Sequence, residues 1–255
     1  MSLFDLSGKV AIITGGSRGI GQAIAEAFAQ HGAKVAVSSR KQDGVESVAE
    51  AIRQQGGDAV AFAAHNGDKS ALAHLVESVV AHYGRVDILV NNAATNPHFG
   101  PILDADDGLW QKIIEVNIMG TMWLTQAVVP IMRSQGGGKI INISSVNGLR
   151  PGRMQGIYSM SKAAMNSLTQ TLAMELASDK IYVNAIAPGL IKTKFAQALW
   201  DNEVVLESVM SRTPLNRIGE PDDIAGMAVY LASSASNFAT GQVFVVDGGM
   251  TVPSL

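Results

Sequence analysis

No cysteine occurs among the 255 residues. That excludes a disulfide scaffold, a thiol nucleophile and every zinc site built on thiolates. It also fits a reducing compartment, so a cytoplasmic location is the expectation. No apolar run approaches the ~18 residues that a membrane span needs. The N-terminus, MSLFDLSGKV, lacks a basic segment followed by an apolar one, so no signal peptide is expected. Acidic residues outnumber basic ones by 22 to 19, the sequence pI is about 5.9, and Lys and Arg form no dense cluster. Nucleic acid and membrane are therefore not expected partners. Eight prolines are scattered without period, 47% of the chain is apolar and the net charge is only −3, which excludes disorder and fibrous repeats. The five histidines make no H-E-x-x-H or comparable pair, and no metal is expected.

What the chain does have is alternation. Short apolar runs at Lys9–Thr14, Lys34–Ser38, Asp58–Ala63, Val86–Val90, Lys139–Ile143, Ile181–Ile186 and Val243–Val246 read as strands. Between them lie helical stretches at Gly19–His31, Val45–Gln55, Lys69–His82, Asp107–Arg133, Tyr158–Ala177 and Pro221–Ala232, with a further amphipathic stretch at Phe195–Met210. Continuous apolar strands separated by helices predict an α/β fold: one doubly wound parallel sheet, a Rossmann fold, with helices on both faces. No linker or second alternation appears, so residues 1–255 are expected to form a single domain. In such sheets ligands bind beyond the carboxyl ends of the strands.

After the first strand stands Thr14-Gly15-Gly16-Ser17-Arg18-Gly19-Ile20-Gly21. Glycines at these positions permit a sharp turn and a close approach of backbone N–H groups to an anion, with a helix N-terminus behind them. The sequence holds no G-x-x-x-x-G-K-[ST], which excludes a nucleoside-triphosphatase loop. At the end of the second strand, where an NAD site carries an acid for the ribose 2′-OH, the chain reads Ser38-Ser39-Arg40-Lys41. An arginine there can hold a 2′-phosphate, and Arg18 can reach it from the glycine turn. The expected cofactor is NADP(H).

Other chemistry-bearing residues also follow predicted strands. They are Asn91-Asn92-Ala93-Ala94, Ser144-Ser145, and Tyr158 with Lys162 one helical turn apart, joined by Asn117 in the long helix. With these in place the whole chain resembles the short-chain dehydrogenase/reductase family. The resemblance rests on T-G-x-x-x-G-x-G at Thr14–Gly21, N-N-A-A at Asn91–Ala94, Asn117, Ser145, Tyr158-x-x-x-Lys162, Pro188-Gly189 and Asp247-Gly248-Gly249. Ala94 replaces a glycine usual in the family, and His65-Asn66 stands where many members carry an Asp that contacts adenine.

The resemblance implies roles. Tyr158 is the acid in reduction and the base in oxidation, with the Lys162 charge drawing its phenol down. Ser145 orients the substrate carbonyl; Ser144 is its rival, and the thirteen-residue interval to Tyr158 favours Ser145. Asn117 holds a water that links Lys162 to solvent. Gly15, Ser17, Arg18, Gly19, Ile20, Ser39, Arg40, Asn66, Asn92, Ala93, Tyr158, Lys162, Pro188, Gly189, Ile191 and Thr193 line the cofactor. The segment from about 195 to 217 reads as a lid. Phe195, Leu199 and Trp200, together with Asn147 and Met154, are candidate contacts for a partly apolar substrate.

The expected activity is interconversion of a secondary alcohol and a ketone or aldehyde, in a homotetramer by resemblance. A 3-oxoacyl-[acyl-carrier-protein] reductase is the alternative. It ranks second because Met174 stands where such members often carry Arg, and the loop Gly136-Gly137-Gly138 is uncharged. A non-catalytic dinucleotide sensor is the alternative of another class, and the intact set Asn117, Ser145, Tyr158 and Lys162 weighs against it.

Overall fold

Val10–Thr14 is buried at every position and forms strand β1. Side chains alternate between the two faces of a strand. Ala11 and Ile13 accordingly enter one core, and Val10 and Ile12 the other. A strand apolar on both faces needs cover on both, and the computed structural model, which describes residues 2–252, provides it. Six further strands follow: β2 (Lys34–Ser39), β3 (Asp58–Ala63), β4 (Ile88–Asn91), β5 (Gly138–Ile143), β6 (Ile181–Pro188) and β7 (Val243–Val246). They form one seven-stranded parallel sheet in the order β3-β2-β1-β4-β5-β6-β7.

The helices are α1 (Gly19–Gln30), α2 (Gln42–Gln54), α3 (Lys69–Tyr83), α4 (Asp107–Ile114), α5 (Gly120–Ser134), α6 (Gly156–Leu176), α7 (Gln197–Trp200), α8 (Glu203–Met210) and α9 (Asp222–Ala232). Ile24 and Phe28 of α1, Val48 and Ile52 of α2, and Ile224 and Val229 of α9 pack in the first core. Leu72 and Val76 of α3, Leu124 and Val128 of α5, and Leu172 and Leu176 of α6 pack in the second. Strand order reverses between β1 and β4, and a crevice opens there beyond the strand ends, as doubly wound sheets require.

Two expected helices are not continuous. The stretch Asp107–Arg133 is interrupted by a π turn at Glu115–Met119, where Gly120 N–H reaches back to the Glu115 carbonyl. Stretch Phe195–Met210 breaks into a 3-10 turn at Lys194–Ala196, then α7, then α8, which begins on an Asn202 cap whose side chain accepts from Val205 N–H at 3.1 Å. No residue of α7 or α8 is buried. This segment therefore covers the crevice without packing into the core. Among the described residues, no helix is long and apolar enough to cross a membrane.

Candidate active site

The crevice is a cleft of about 1420 Å³ running from the glycine turn to the 194–212 segment. At its first end, Gly15 and Gly19 take φ of +63° and +56°, a region that favours glycine. A Cβ on Gly21 would lie 2.5 Å from the Gly15 carbonyl oxygen, so this glycine is what lets α1 close against the turn. Asn92 completes the cradle. Its Nδ2 donates to the carbonyls of Thr14 and Gly15 at 2.8 and 3.2 Å, and Thr14 Oγ1 accepts from the N–H groups of Asn92 and Ala93. Helix α1 has no side-chain cap and no acid in its first turn. Its leading N–H groups are thus unanswered by the protein where Gly19 and Ile20 line the cleft, a ready anion site.

Ser17, Arg18, Ser39, Arg40 and Asn66 wall the same end, and Pro188, Gly189, Ile191 and Thr193 continue it from β6. Arg18 and Arg40 have no ion-pair partner among the described residues. The uncapped helix end and these guanidinium groups fit the phosphates of a dinucleotide. Asn66 is committed elsewhere in part: its Nδ2 donates to the Val116 carbonyl at 2.7 Å, a group opened by the π turn.

The middle of the cleft holds Ser145, Tyr158 and Lys162. Ser145 caps the short 3-10 turn Val146–Gly148, where its Oγ accepts from Asn147 N–H at 3.1 Å, and it lies beside the Tyr158 phenol. Ser144 is spent on packing, since its Oγ donates to Asn166 Oδ1 at 2.6 Å. The two serines are thereby distinguished by geometry. Lys162 Nζ lies 5.6 Å from the Tyr158 ring centre and donates to the Ile143 carbonyl at 2.7 Å. Burial pushes the Tyr158 phenol up to about 12, partly offset by Ser145, and pushes the Lys162 ammonium down to about 8. The expected lowering of the phenol by the lysine is therefore not a property of the chain alone. Desolvation sets the direction of its shift.

Asn117 lies at the centre of the π turn, fully buried. Its side chain makes three hydrogen bonds. Oδ1 accepts from Thr95 N–H at 2.8 Å, and Nδ2 donates to the Thr95 carbonyl at 3.0 Å and to Ser161 Oγ at 3.1 Å. Oδ1 keeps a second lone pair, so the side chain can still accept from a water. Asn117 also locks the loop after β4 to helix α6. Asn117→Ala is expected to cost about 1–3 kcal/mol, because it removes three hydrogen bonds, one of them to the buried Ser161 hydroxyl; a urea midpoint unchanged from wild type would refute that placement.

At the far end, Asn147, Met154, Phe195 and Leu199 line the cleft. The Phe195 ring stands 5.9 Å from that of Tyr158. Trp200 is not among the walls; its Nε1 donates to the Thr193 carbonyl at 3.1 Å and braces α7. Among the described residues, no three His, Asp or Glu side chains gather as a metal centre would require. Sequence reasoning missed Arg150, Arg153, Lys194 and Arg212, which also line this end. Their loops carry no motif, and only the fold brings them together.

Comparison with known proteins agrees with this geometry. A family model described as enoyl-(acyl carrier protein) reductase matches residues 15–251. Dehydrogenase/reductase SDR family member 4 of Sus scrofa is 43% identical over 244 residues, covering 96% of this chain and 88% of that one. A gluconate 5-dehydrogenase from Burkholderia cenocepacia, solved with NADP and tartrate, superposes with a TM-score of 0.95 at 33% identity, covering 99% and 98% of the two chains. A 7α-hydroxysteroid dehydrogenase solved with NADH and 7-oxo glycochenodeoxycholic acid gives 0.93 at 36% identity, covering 97% and 96%. The chain belongs to the short-chain dehydrogenase/reductase family and is an oxidoreductase of that family, with a nicotinamide dinucleotide as its cofactor.

Proposed function

We propose that the protein is an NADP(H)-dependent oxidoreductase that interconverts a secondary alcohol and a ketone or aldehyde. The observation that carries this reading is one continuous cleft. Arg18 and Arg40 flank its anion end, and Ser145, Tyr158 and Lys162 converge at its middle. NADPH, when bound, supplies the hydride. Ser145 Oγ donates to the substrate carbonyl oxygen and fixes it beside the phenol, a positioned donor where negative charge develops. Tyr158 gives that oxygen its proton. A phenol held at about 12 keeps its proton across the neutral range, which suits it to act as an acid in reduction. Lys162 lies behind the phenol as the next charged group. The anion end favours NADP(H) because, among the described residues, Asp43 is the only carboxylate on the cleft wall and two arginines flank the β2 end. The proposal includes a homotetramer, in which a second copy would cover the exposed Met160 and Met174 of α6, and a cytoplasmic location, for which the lack of cysteine is the support.

Reduction should be flat in pH below about 8 and fall above it. Lys162 is a base whose pKa is lowered, so it is charged below about 8 and neutral above, and the pair then holds one proton fewer. The break should vanish in Lys162→Met, where residual kcat no longer bends near pH 8.

The carrier protein in the family model's description supports a second reading, a reductase of 3-oxoacyl thioesters. Initial rates of NADPH and NADH oxidation over aromatic ketones, α-diketones, sugars and acetoacetyl thioesters separate the two. Turnover of simple ketones with NADPH preferred supports the first reading. Turnover confined to the thioesters supports the second, and no turnover despite tight NADPH binding would return the chain to the sensor class.

A further inference from the structure

The chain carries a net charge of −3, yet its cleft is strongly cationic. Among the described residues, nine of the chain's 19 Lys and Arg line that one space, against the single carboxylate of Asp43. Dinucleotide phosphates account for the first end, where Arg18, Arg40 and Lys41 lie. They do not account for Lys112, Arg150, Arg153, Lys194 and Arg212, which stand on the loops and helices around the far end. No carboxylate lines that end, and none of these five forms an ion pair among the described residues. Low-dielectric walls lined by one sign of charge focus the field and select ligands of the other sign.

The loop carrying two of these arginines is also held under strain. Met154, between Arg153 and Gln155, takes φ of +64°, in the left-handed region. Such a conformation costs about 1–3 kcal/mol in a residue with a side chain and persists only where the surroundings impose it. Here the Met154 carbonyl accepts from Gly100 N–H at 2.9 Å, and Gln155 Oε1 accepts from Asn96 Nδ2 at 3.2 Å. The turn is thus pinned across the cleft mouth. Arg150 and Arg153 make no side-chain hydrogen bond within the described chain, so their donors stay available.

We propose that the outer half of the cleft binds the carboxylate of an amphipathic keto or hydroxy acid. Arg150 and Arg153 hold the carboxylate, and Phe195 and Leu199 hold the apolar body between it and Tyr158. This deepens the oxidoreductase reading, and it is testable apart from any chemistry. The probes are 4-phenylbutanoate and 4-phenylbutanamide, which have no ketone and differ only in charge at one end. Calorimetry on the protein saturated with NADP⁺ should show the acid binding at least about tenfold more tightly than the amide, since a charged pair to Arg is the stronger interaction. The gap should shrink as salt rises. It should close in Arg150→Gln/Arg153→Gln, whose fold is checked by an unchanged melting profile. Equal affinity for acid and amide overturns the proposal, as does a gap that survives the double substitution. Either result leaves the oxidoreductase reading intact. Among reactive substrates, 4-oxo-4-phenylbutanoate should exceed its methyl ester in kcat/KM by a similar factor. A preference for an acetoacetyl carrier protein over the free acid would overturn the small-acid assignment.

Discussion

Tyr158→Phe should lower kcat for carbonyl reduction by about 10³-fold, within the range that a positioned acid contributes. Phenylalanine keeps the ring, and with it the contact to Phe195 at 5.9 Å and most of the buried surface. The phenolic proton is what disappears. NADPH affinity, measured by fluorescence titration, should therefore stay within a few-fold, and the melting temperature should barely move. A fall in kcat without a fall in binding is the signature of a group that acts only in the transition state. Undiminished turnover would remove Tyr158 from the proton-donor role and leave Lys162 as the nearest candidate.

Arg40→Asp should shift the NADPH-to-NADH preference, read as the ratio of kcat/KM values, by about 10²-fold toward NADH. Losing charge-assisted hydrogen bonds to a phosphate costs about 1.5–3 kcal/mol. The new carboxylate adds repulsion to a 2′-phosphate and an acceptor for a ribose 2′-OH, so both arms of the ratio move in the same direction. Arg40 is exposed and unpaired among the described residues, so the fold should tolerate the change. An unaltered ratio would place the phosphate contact on Arg18 alone.

Most of the scaffold is legible in the sequence because buried parallel strands leave a simple signal. Apolar runs such as KVAIIT and KIINI need no periodicity to be read, and every expected strand appears within a few residues. Helix starts were less visible. Helix α2 begins at Gln42, three residues before the apolar pattern does, because its first turn is solvent-facing and carries Asp43. The break at Asp201-Asn202 escaped notice because Val204, Val205 and Leu206 continue an apolar pattern that packs against no core. At the site, linear spacing locates Ser145, Tyr158 and Lys162. It cannot reveal that Ser144 is spent on Asn166, or that Trp200 turns toward Thr193. Those outcomes depend on neighbours far away in the chain.

The π turn at Glu115–Met119 has a consequence for how this chain tolerates length changes. A residue accommodated by widening one turn is, in effect, an insertion already absorbed by the helix. Removing one residue there would restore a regular α-helix while α4 and α5 keep their phase, because the wide turn alone takes up the extra residue. Ile113 would stay in the core under the Asp106 cap. What would be lost is the bulge that carries Asn117 to Thr95 and Ser161. A one-residue deletion at this point should leave a folded helix and untie the wall of the crevice.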